Sequence, residues 1–147
     1  MSPEQGTLWL GPDTELIVCT DGGARGNPGP AALGVSIQRP NGDEIASLSE
    51  TLGETTNNVA EYTAVVRGLE RARELGARAV VVRSDSMLLV EQVRGNYKVR
   101  AAHLRPLYER VRALARTFDT CRFEHVRREQ NVRADELVNR ALDAAGT

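Results

Sequence analysis

The stretch VVVRSDSMLLVEQV at residues 80–93 contains a strand followed directly by a helix. Its first three residues are valines that continue from Ala79 as an unbroken apolar run, which is typical of a strand buried on both faces. Asp85 follows this strand and is predicted to open a helix that runs to about Val93. A buried strand that leads into a helix indicates an α/β protein.

Three strands are predicted before this unit, and they form an antiparallel meander. The stretch DGGARGNPGP at residues 21–30 is rich in Gly and Pro and is predicted to be a compact loop after the first strand. Asn41-Gly42 is a strong hairpin signal between the second and third strands. The predicted strands are Glu15–Thr20, Leu33–Arg39 and Glu44–Glu50.

Helical spacing of apolar residues predicts the remaining elements. The first helix runs from about Asn58 to Leu75 and stops at Gly76. A long helix includes Leu104 to Phe118, a fifth strand covers Thr120–Arg127, and Asn131 caps a final helix. The order βββ-α-β-α-α-β-α implies a five-stranded mixed sheet, three strands antiparallel and two parallel, with helices on both faces.

Composition indicates one globular domain. Of the 147 residues, 41% are hydrophobic and 27% are charged, which excludes a disordered or fibrous chain. Residues 1–14 are predicted to be a flexible leader, with the domain at residues 15–147. No apolar run approaches a membrane span and no secretory signal opens the sequence, so we expect a cytoplasmic monomer. Cys19 and Cys121 are expected to act as small buried hydrophobes.

The charge is unevenly distributed. Because the net charge is −1, any affinity for nucleic acid must come from local clusters. Between residues 94 and 116 there is one acid, Glu109, among seven basic residues. Such a run is often only a solvated helix face. The basic residues are Arg94, Lys98, Arg100, Arg105, Arg110, Arg112 and Arg116, and the bias continues through Arg122, Arg127, Arg128 and Arg133.

Four carboxylates fall at strand ends or in the first turns of helices, namely Asp21, Glu61, Asp85 and Asp135. Singly, each has a structural explanation: a turn, a helix dipole, or for Glu61 an ion pair with Arg67. If the fold brings all four together, their mutual repulsion requires cations. Ligands that are all oxygen favour Mg²⁺ or Mn²⁺.

Four segments in series resemble the type 1 ribonuclease H family, in its short form without a basic protrusion. They are TDGGARGNPGPAALGV, TTNNVAEYTAVVRGLE, VVVRSDSMLLVEQV and REQNVRADELVNRALD, and the resemblance spans residues 15–143. It implies a nuclease that cuts the RNA strand of RNA–DNA hybrids and leaves 3′-hydroxyl and 5′-phosphate ends. It also implies that two metal ions, Mg²⁺ or Mn²⁺, are held by Asp21, Glu61, Asp85 and Asp135.

The resemblance also points to residues that contact the substrate. Backbone amides and Asn side chains suit the ribose 2′-hydroxyl, which both donates and accepts hydrogen bonds. The candidates are Gly22, Asn27, Asn57 and Asn58 near the paired strands, and Thr56 and Arg133 on phosphates. Three of them also have a purely structural explanation: a turn at Asn27, a helix cap at Thr56 and a solvated side chain at Arg133.

The chain departs from the best-known members in two places. RGNYKVRAAHLRP, residues 94–106, replaces their basic protrusion, so hybrid binding is expected to rely on the basic helices; Tyr97 either stacks on nucleic acid or packs in the core. Their loop histidine has no counterpart, because His125 lies in the fifth strand. Some short members also cut double-stranded RNA. Two other functions are considered. One is a hybrid-binding module without activity, and the other is an integrase-like DNA phosphotransferase, which would need DNA-end-binding domains for which 147 residues leave no room.

Overall fold

The computed structural model describes residues 14–146, and most of the predicted leader lies outside them. The strands are β1 (Glu15–Ala24), β2 (Gly29–Gln38), β3 (Glu44–Thr55), β4 (Ala79–Ser84) and β5 (Thr120–His125). The helices are α1 (Asn57–Glu74), α2 (Met87–Val93), α3 (Arg105–Ala115) and α4 (Val132–Ala144). Short 3₁₀ helices cover Ala102–Leu104 and Arg128–Gln130.

The strands form one mixed sheet in the order β3-β2-β1-β4-β5. β1, β2 and β3 are antiparallel, whereas β4 is parallel to both β1 and β5. The predicted sheet of three antiparallel and two parallel strands is therefore confirmed. The parallel ladder between β1 and β4 ends at Thr20 and Ser84, whereas β1 stays paired with β2 as far as Ala24.

Helices cover both faces of the sheet, as predicted. α1, α2 and α3 pack on one face around the main core, which includes Leu16, Val35, Leu69 and Val82. α4 packs on the other face, where Ala134 meets Ile17 and Cys19 of β1. Its later turns contact β2 at Ala32. Within residues 14–146, every helix is too short or too polar to cross a lipid bilayer.

The prediction of a loop at residues 21–30 is wrong at both ends. β1 and β2 stay paired through Ala24 and Ala31, so that only residues 25–28 separate the strands. Gly22 lies inside β1. The position requires glycine, because a Cβ there would overlap the backbone of Ala60 in α1. The glycine therefore allows a helix to approach the sheet rather than a turn to form.

Other boundaries also differ from the predictions, most of all at β3, which continues to Thr55 instead of ending at Glu50. Asp85 does not open α2, because Ser86 is the N-cap and accepts a hydrogen bond from the Leu89 amide at 3.2 Å. Asn131 precedes α4 but makes no capping hydrogen bond, since its side chain binds β1 instead. α1 begins at Asn57, one residue early, and β5 ends at His125 rather than residue 127.

Candidate active site

A cavity of about 270 Å³ lies at the edge of the sheet where the parallel ladder between β1 and β4 ends. All four predicted carboxylates line it, although they come from four different elements of the chain. The edge beyond the carboxyl ends of parallel strands is where open α/β sheets place ligand sites. The lining residues are Asp21, Gly22, Gly23, Ala24, Arg25, Asn57, Glu61, Asp85, Arg128, Asp135, Val138, Asn139 and Leu142.

The two strand carboxylates are neighbours by register. Thr20 and Ser84 are the last paired residues of β1 and β4, and Asp21 and Asp85 each follow one of them. In a parallel pair with this register, the residues that follow the last pair meet at the same edge of the sheet. Asp21 and Asp85 therefore stand side by side, as the sequence predicts.

The two helix carboxylates are brought to the same edge by two strand glycines. Gly22 touches the backbone of Ala60, the residue before Glu61. Gly34, the partner of Asp21 in the β1–β2 ladder, touches the carbonyl oxygen of Ala134, the residue before Asp135. Neither position has room for a Cβ, so each glycine sets how closely a carboxylate-bearing helix approaches the sheet.

Burial and like charges raise the pKa of Asp21 to about 8. Burial contributes most, followed by the charges of Asp85 and Asp135, a side-chain hydrogen bond with Asp135, and the charge of Glu61. A carboxyl group among three others holds its proton because the charged form is unfavourable there. A cation close to Asp21 would therefore favour the charged form of its carboxyl group.

Burial also raises the pKa of Glu61, to about 7. A hydrogen bond from Ser86 opposes this shift, the charge of Asp85 adds to it, and the positive charge of Arg128 opposes it. The alternative in which Arg67 neutralises Glu61 is wrong. Arg67 instead forms ion pairs with Glu50 at 2.9 Å and with Glu70 at 3.0 Å.

The donor set fits a hard divalent cation, because all four side chains offer oxygen and none offers nitrogen or sulfur. The raised pKa values of Asp21 and Glu61 indicate that a positive charge would stabilise the ionised cavity. As the side chains stand, no group of three or more His, Cys, Asp or Glu residues within residues 14–146 has the geometry of a metal site. Cation binding therefore requires the carboxylate side chains to rotate from this arrangement.

Two asparagines join the turn after β1 to the start of α1. The Asn57 side-chain oxygen accepts a hydrogen bond from the Ala24 amide at 2.7 Å. The Asn27 side-chain oxygen accepts one from the Asn57 amide at 3.1 Å. Thr56 caps α1 and accepts from the Val59 amide at 3.2 Å. Because the acceptor oxygens are used inside the protein, the two NH₂ groups and the Thr56 hydroxyl proton are the donors left for a ligand.

Comparison with known proteins decides the family. Residues 19–141 match the family model described as "Reverse transcriptase-like". Ribonuclease H of Acidithiobacillus ferrooxidans is 34% identical over 152 aligned residues, which cover 92% of this chain and 93% of that protein. The chain belongs to the ribonuclease H family.

Other similar proteins agree with this placement. The bifunctional protein Rv2228c of Mycobacterium tuberculosis is 42% identical over 89% of the chain, and the chain spans only 36% of that protein. The solved structure of LC11-RNase H1, isolated from compost, in complex with an RNA/DNA hybrid has a TM-score of 0.86 and 44% identity. The aligned region covers 90% of this chain and 99% of the LC11-RNase H1 chain. The short type 1 ribonuclease H resemblance is thereby confirmed.

The remaining substrate candidates occupy different positions around the cavity. Gly22 and Asn57 line it, whereas Asn58 is exposed on the first turn of α1. Arg133 lies in the first turn of α4, and its guanidinium group binds Glu44 and Glu136. His125 is the exposed last residue of β5 and is not among the residues that line the cavity.

Sequence reasoning missed Arg128 as a residue of the candidate site. Arg128 lines the cavity and its positive charge acts on Glu61. The sequence signal was weak, because Arg127 and Arg128 are adjacent and nothing in their spacing tells which one faces the site. The structure also corrects the core alternative for Tyr97, whose relative exposure is 50%.

Proposed function

We propose that this protein is an endoribonuclease that hydrolyses the RNA strand of RNA–DNA hybrids and leaves 3′-hydroxyl and 5′-phosphate ends. The observation that carries the proposal is the convergence of four carboxylates from β1, α1, α4 and the end of β4 on one cavity. Membership of the ribonuclease H family and the likeness to a neighbour solved with an RNA/DNA hybrid support the substrate.

Asp21, Glu61, Asp85 and Asp135 are proposed to hold two divalent ions, Mg²⁺ or Mn²⁺. When bound, such ions activate a water molecule for attack and stabilise the leaving 3′-oxygen of an in-line displacement. The side chains must give up their protons to bind cations, so Asp21 and Glu61 ionise as the site fills. Asp21 would help to hold both ions, because it lies on β1, the central strand of the sheet.

The substrate strands are proposed to lie across the turn after β1 and the start of α1. Asn27 and Asn57 direct their remaining NH₂ donors to this surface, and Asn58 and the Gly22 backbone extend it towards the carboxylates. The Thr56 hydroxyl is proposed to donate to a DNA phosphate while it caps α1. A ribose 2′-hydroxyl accepts hydrogen bonds, so these donors favour an RNA strand beside the carboxylates. Arg133 is engaged by Glu44 and Glu136, so we do not assign it a phosphate contact.

The test is cleavage of end-labelled RNA–DNA hybrid, double-stranded RNA and double-stranded DNA, with Mg²⁺, Mn²⁺ or chelator. Asp21→Asn should abolish turnover while folding and hybrid binding persist, because a neutral amide cannot bridge two cations. Asp119→Asn is the matched control, since Asp119 pairs with Arg78 at 2.9 Å and does not line the cavity.

The outcomes separate the candidate functions. Metal-dependent cutting of hybrid RNA by wild type and by Asp119→Asn, but not by Asp21→Asn, supports the proposal. Cutting of double-stranded RNA extends the substrate range. Hybrid binding without cutting in either metal indicates a binding module of the same fold, and cutting by Asp21→Asn refutes the metal-bridging role.

A further inference from the structure

Glu44 and Arg133 form a two-pronged ion pair between the β2–β3 hairpin and the start of α4. Arg133 Nε donates to Glu44 Oε1 at 2.9 Å, and Arg133 Nη2 donates to Glu44 Oε2 at 3.2 Å. Both side chains are about one-third exposed. A bidentate arginine–carboxylate pair restricts orientation as well as distance, because the planar guanidinium fork matches both oxygens. The contact therefore fixes the direction of the Arg133 side chain.

Glu44 is itself anchored to the sheet. The hydroxyl of Ser36, which is fully buried in β2, donates to Glu44 Oε1 at 2.6 Å. Gln38 Nε2 donates to the same Ser36 hydroxyl oxygen at 3.0 Å. Because the carboxylate is held by a buried strand residue, Arg133 is tied to the sheet rather than to a loose surface side chain.

Arg133 and Asp135 lie on opposite sides of α4. Two residues of an α-helix are separated by roughly 200° around its axis. Ala134, between them, lies against Gly34 of β2, and α4 can rotate about this contact. A rotation of α4 about its axis that releases Arg133 therefore swings Asp135 away from its present direction. The ion pair lies in the first turn of α4, two residues before Asp135, and restricts this rotation close to that carboxylate.

We propose that the Glu44–Arg133 pair positions Asp135 for divalent cation binding, which makes both members positioning residues. This inference rests on the proposed function of the carboxylate cavity. Arg133 acts through the helix and not by contact with substrate, because two carboxylates already occupy its guanidinium group. Glu44, which is distant from Asp135 in sequence and absent from the cavity lining, then influences catalysis through α4.

A double-mutant cycle tests this assignment with Glu44→Gln, Arg133→Gln and the double variant. Asp119→Asn is the control, because it breaks a comparable pair with Arg78 far from α4. Three quantities are measured: the free energy of unfolding in urea with chelator, the increase in Tm caused by Mn²⁺ alone, and kcat and KM for hybrid cleavage. The Mn²⁺ experiment needs neither substrate nor turnover.

Each single variant should raise the Mn²⁺ concentration needed for half of the Tm increase by roughly tenfold, as loss of a ligand's supporting contact does. kcat should fall at sub-saturating metal, whereas KM for hybrid should stay unchanged. The double variant should be no worse than either single variant, because both changes remove the same contact. Asp119→Asn should match wild type in metal response and in kcat.

Three results would overturn the assignment. An increase in KM for Arg133→Gln, with Glu44→Gln silent, would mean that Arg133 contacts a substrate phosphate directly. If the effects of the two substitutions are non-additive in the free energy of unfolding alone, and not in the Mn²⁺ response or kcat, the pair is only a structural contact. If wild type binds Mn²⁺ and cleaves while both single variants match the control, only the positioning role fails. A wild type that shows neither response rejects the proposed function itself.

Discussion

The side-chain amide nitrogen of Asn131 donates a hydrogen bond to the backbone carbonyl oxygen of Thr20, 2.8 Å away and 111 residues apart in sequence. The bond joins the residue before α4 to the residue before Asp21. Asn131 is only 3% exposed, so the contact is shielded from water. It connects the two elements that carry Asp21 and Asp135, on the side of α4 that faces the sheet.

Asn131→Ala should lower the free energy of unfolding by about 1–3 kcal/mol, because the Thr20 carbonyl would lose a buried partner. Urea unfolding measures this loss. Asn96→Ala is the control: Asn96 is exposed and its side chain binds only Glu91, so its effect should stay within about 0.5 kcal/mol. Equal effects of the two variants would show that the Thr20 contact contributes nothing measurable.

Gly22→Ala should destabilise the fold by about 1–3 kcal/mol and lower cleavage activity, because the added Cβ overlaps the Ala60 backbone and displaces α1 with Glu61. Gly23→Ala is the neighbouring control. A Cβ at Gly23 meets only the Asn57 side-chain oxygen, at 3.9 Å, and should be tolerated. Thermal unfolding and kcat of both variants decide the matter; a stable, active Gly22→Ala protein would contradict the close approach of α1.

Asp21→Asn should make the metal-free protein more stable than wild type at alkaline pH. The pKa of Asp21 is about 8 in the folded state and 3.8 in an unperturbed state, so between these values the folded protein binds a proton that the unfolded chain releases. This stabilisation is fully present below the lower pKa and is lost as pH rises through about 8. A neutral amide has no such loss.

Unfolding in urea with chelator at pH 5.5, 7 and 9 measures this difference. The advantage of Asp21→Asn should grow by at most about 1.4 kcal/mol per pH unit and level off above about pH 8. Saturating Mg²⁺ should narrow it, because the cation supplies the counter-charge that wild type lacks. A constant difference at all three pH values would mean that Asp21 titrates alike in the folded and unfolded states.

Arg128→Ala should shift the metal requirement towards higher pH. Arg128 opposes the rise in the pKa of Glu61, which is about 7, so its removal keeps Glu61 protonated to a higher pH. Because cations displace that proton, the Mg²⁺ concentration for half-maximal cleavage at pH 7 should rise and should recover at pH 9, where Glu61 is ionised in both proteins. Arg127→Ala, which breaks only an exposed pair with Glu129, is the control and should leave both values unchanged.

Most of the fold followed from local patterns. Ala79–Val82 is apolar throughout because β4 is covered on both faces, and each helical stripe has one buried side. The alternation in β2 was less informative, because both faces of that strand are buried and Ser36 is among the buried residues. Boundaries failed where tertiary contacts overrode composition. Gly22 reads as a turn residue in sequence, but it serves a helix crossing, and Asn131 reads as a cap but binds a distant strand.

The sequence by itself determined the element order, the α/β class and the four carboxylate candidates, because periodicity and motif spacing are local properties. Only the tertiary structure decided that those carboxylates share one cavity, that Arg128 rather than Arg127 lines it, and that Glu44 binds Arg133. These relationships depend on strand register and on how closely helices approach the sheet. Both arise from contacts between residues far apart in the chain, which no local pattern encodes.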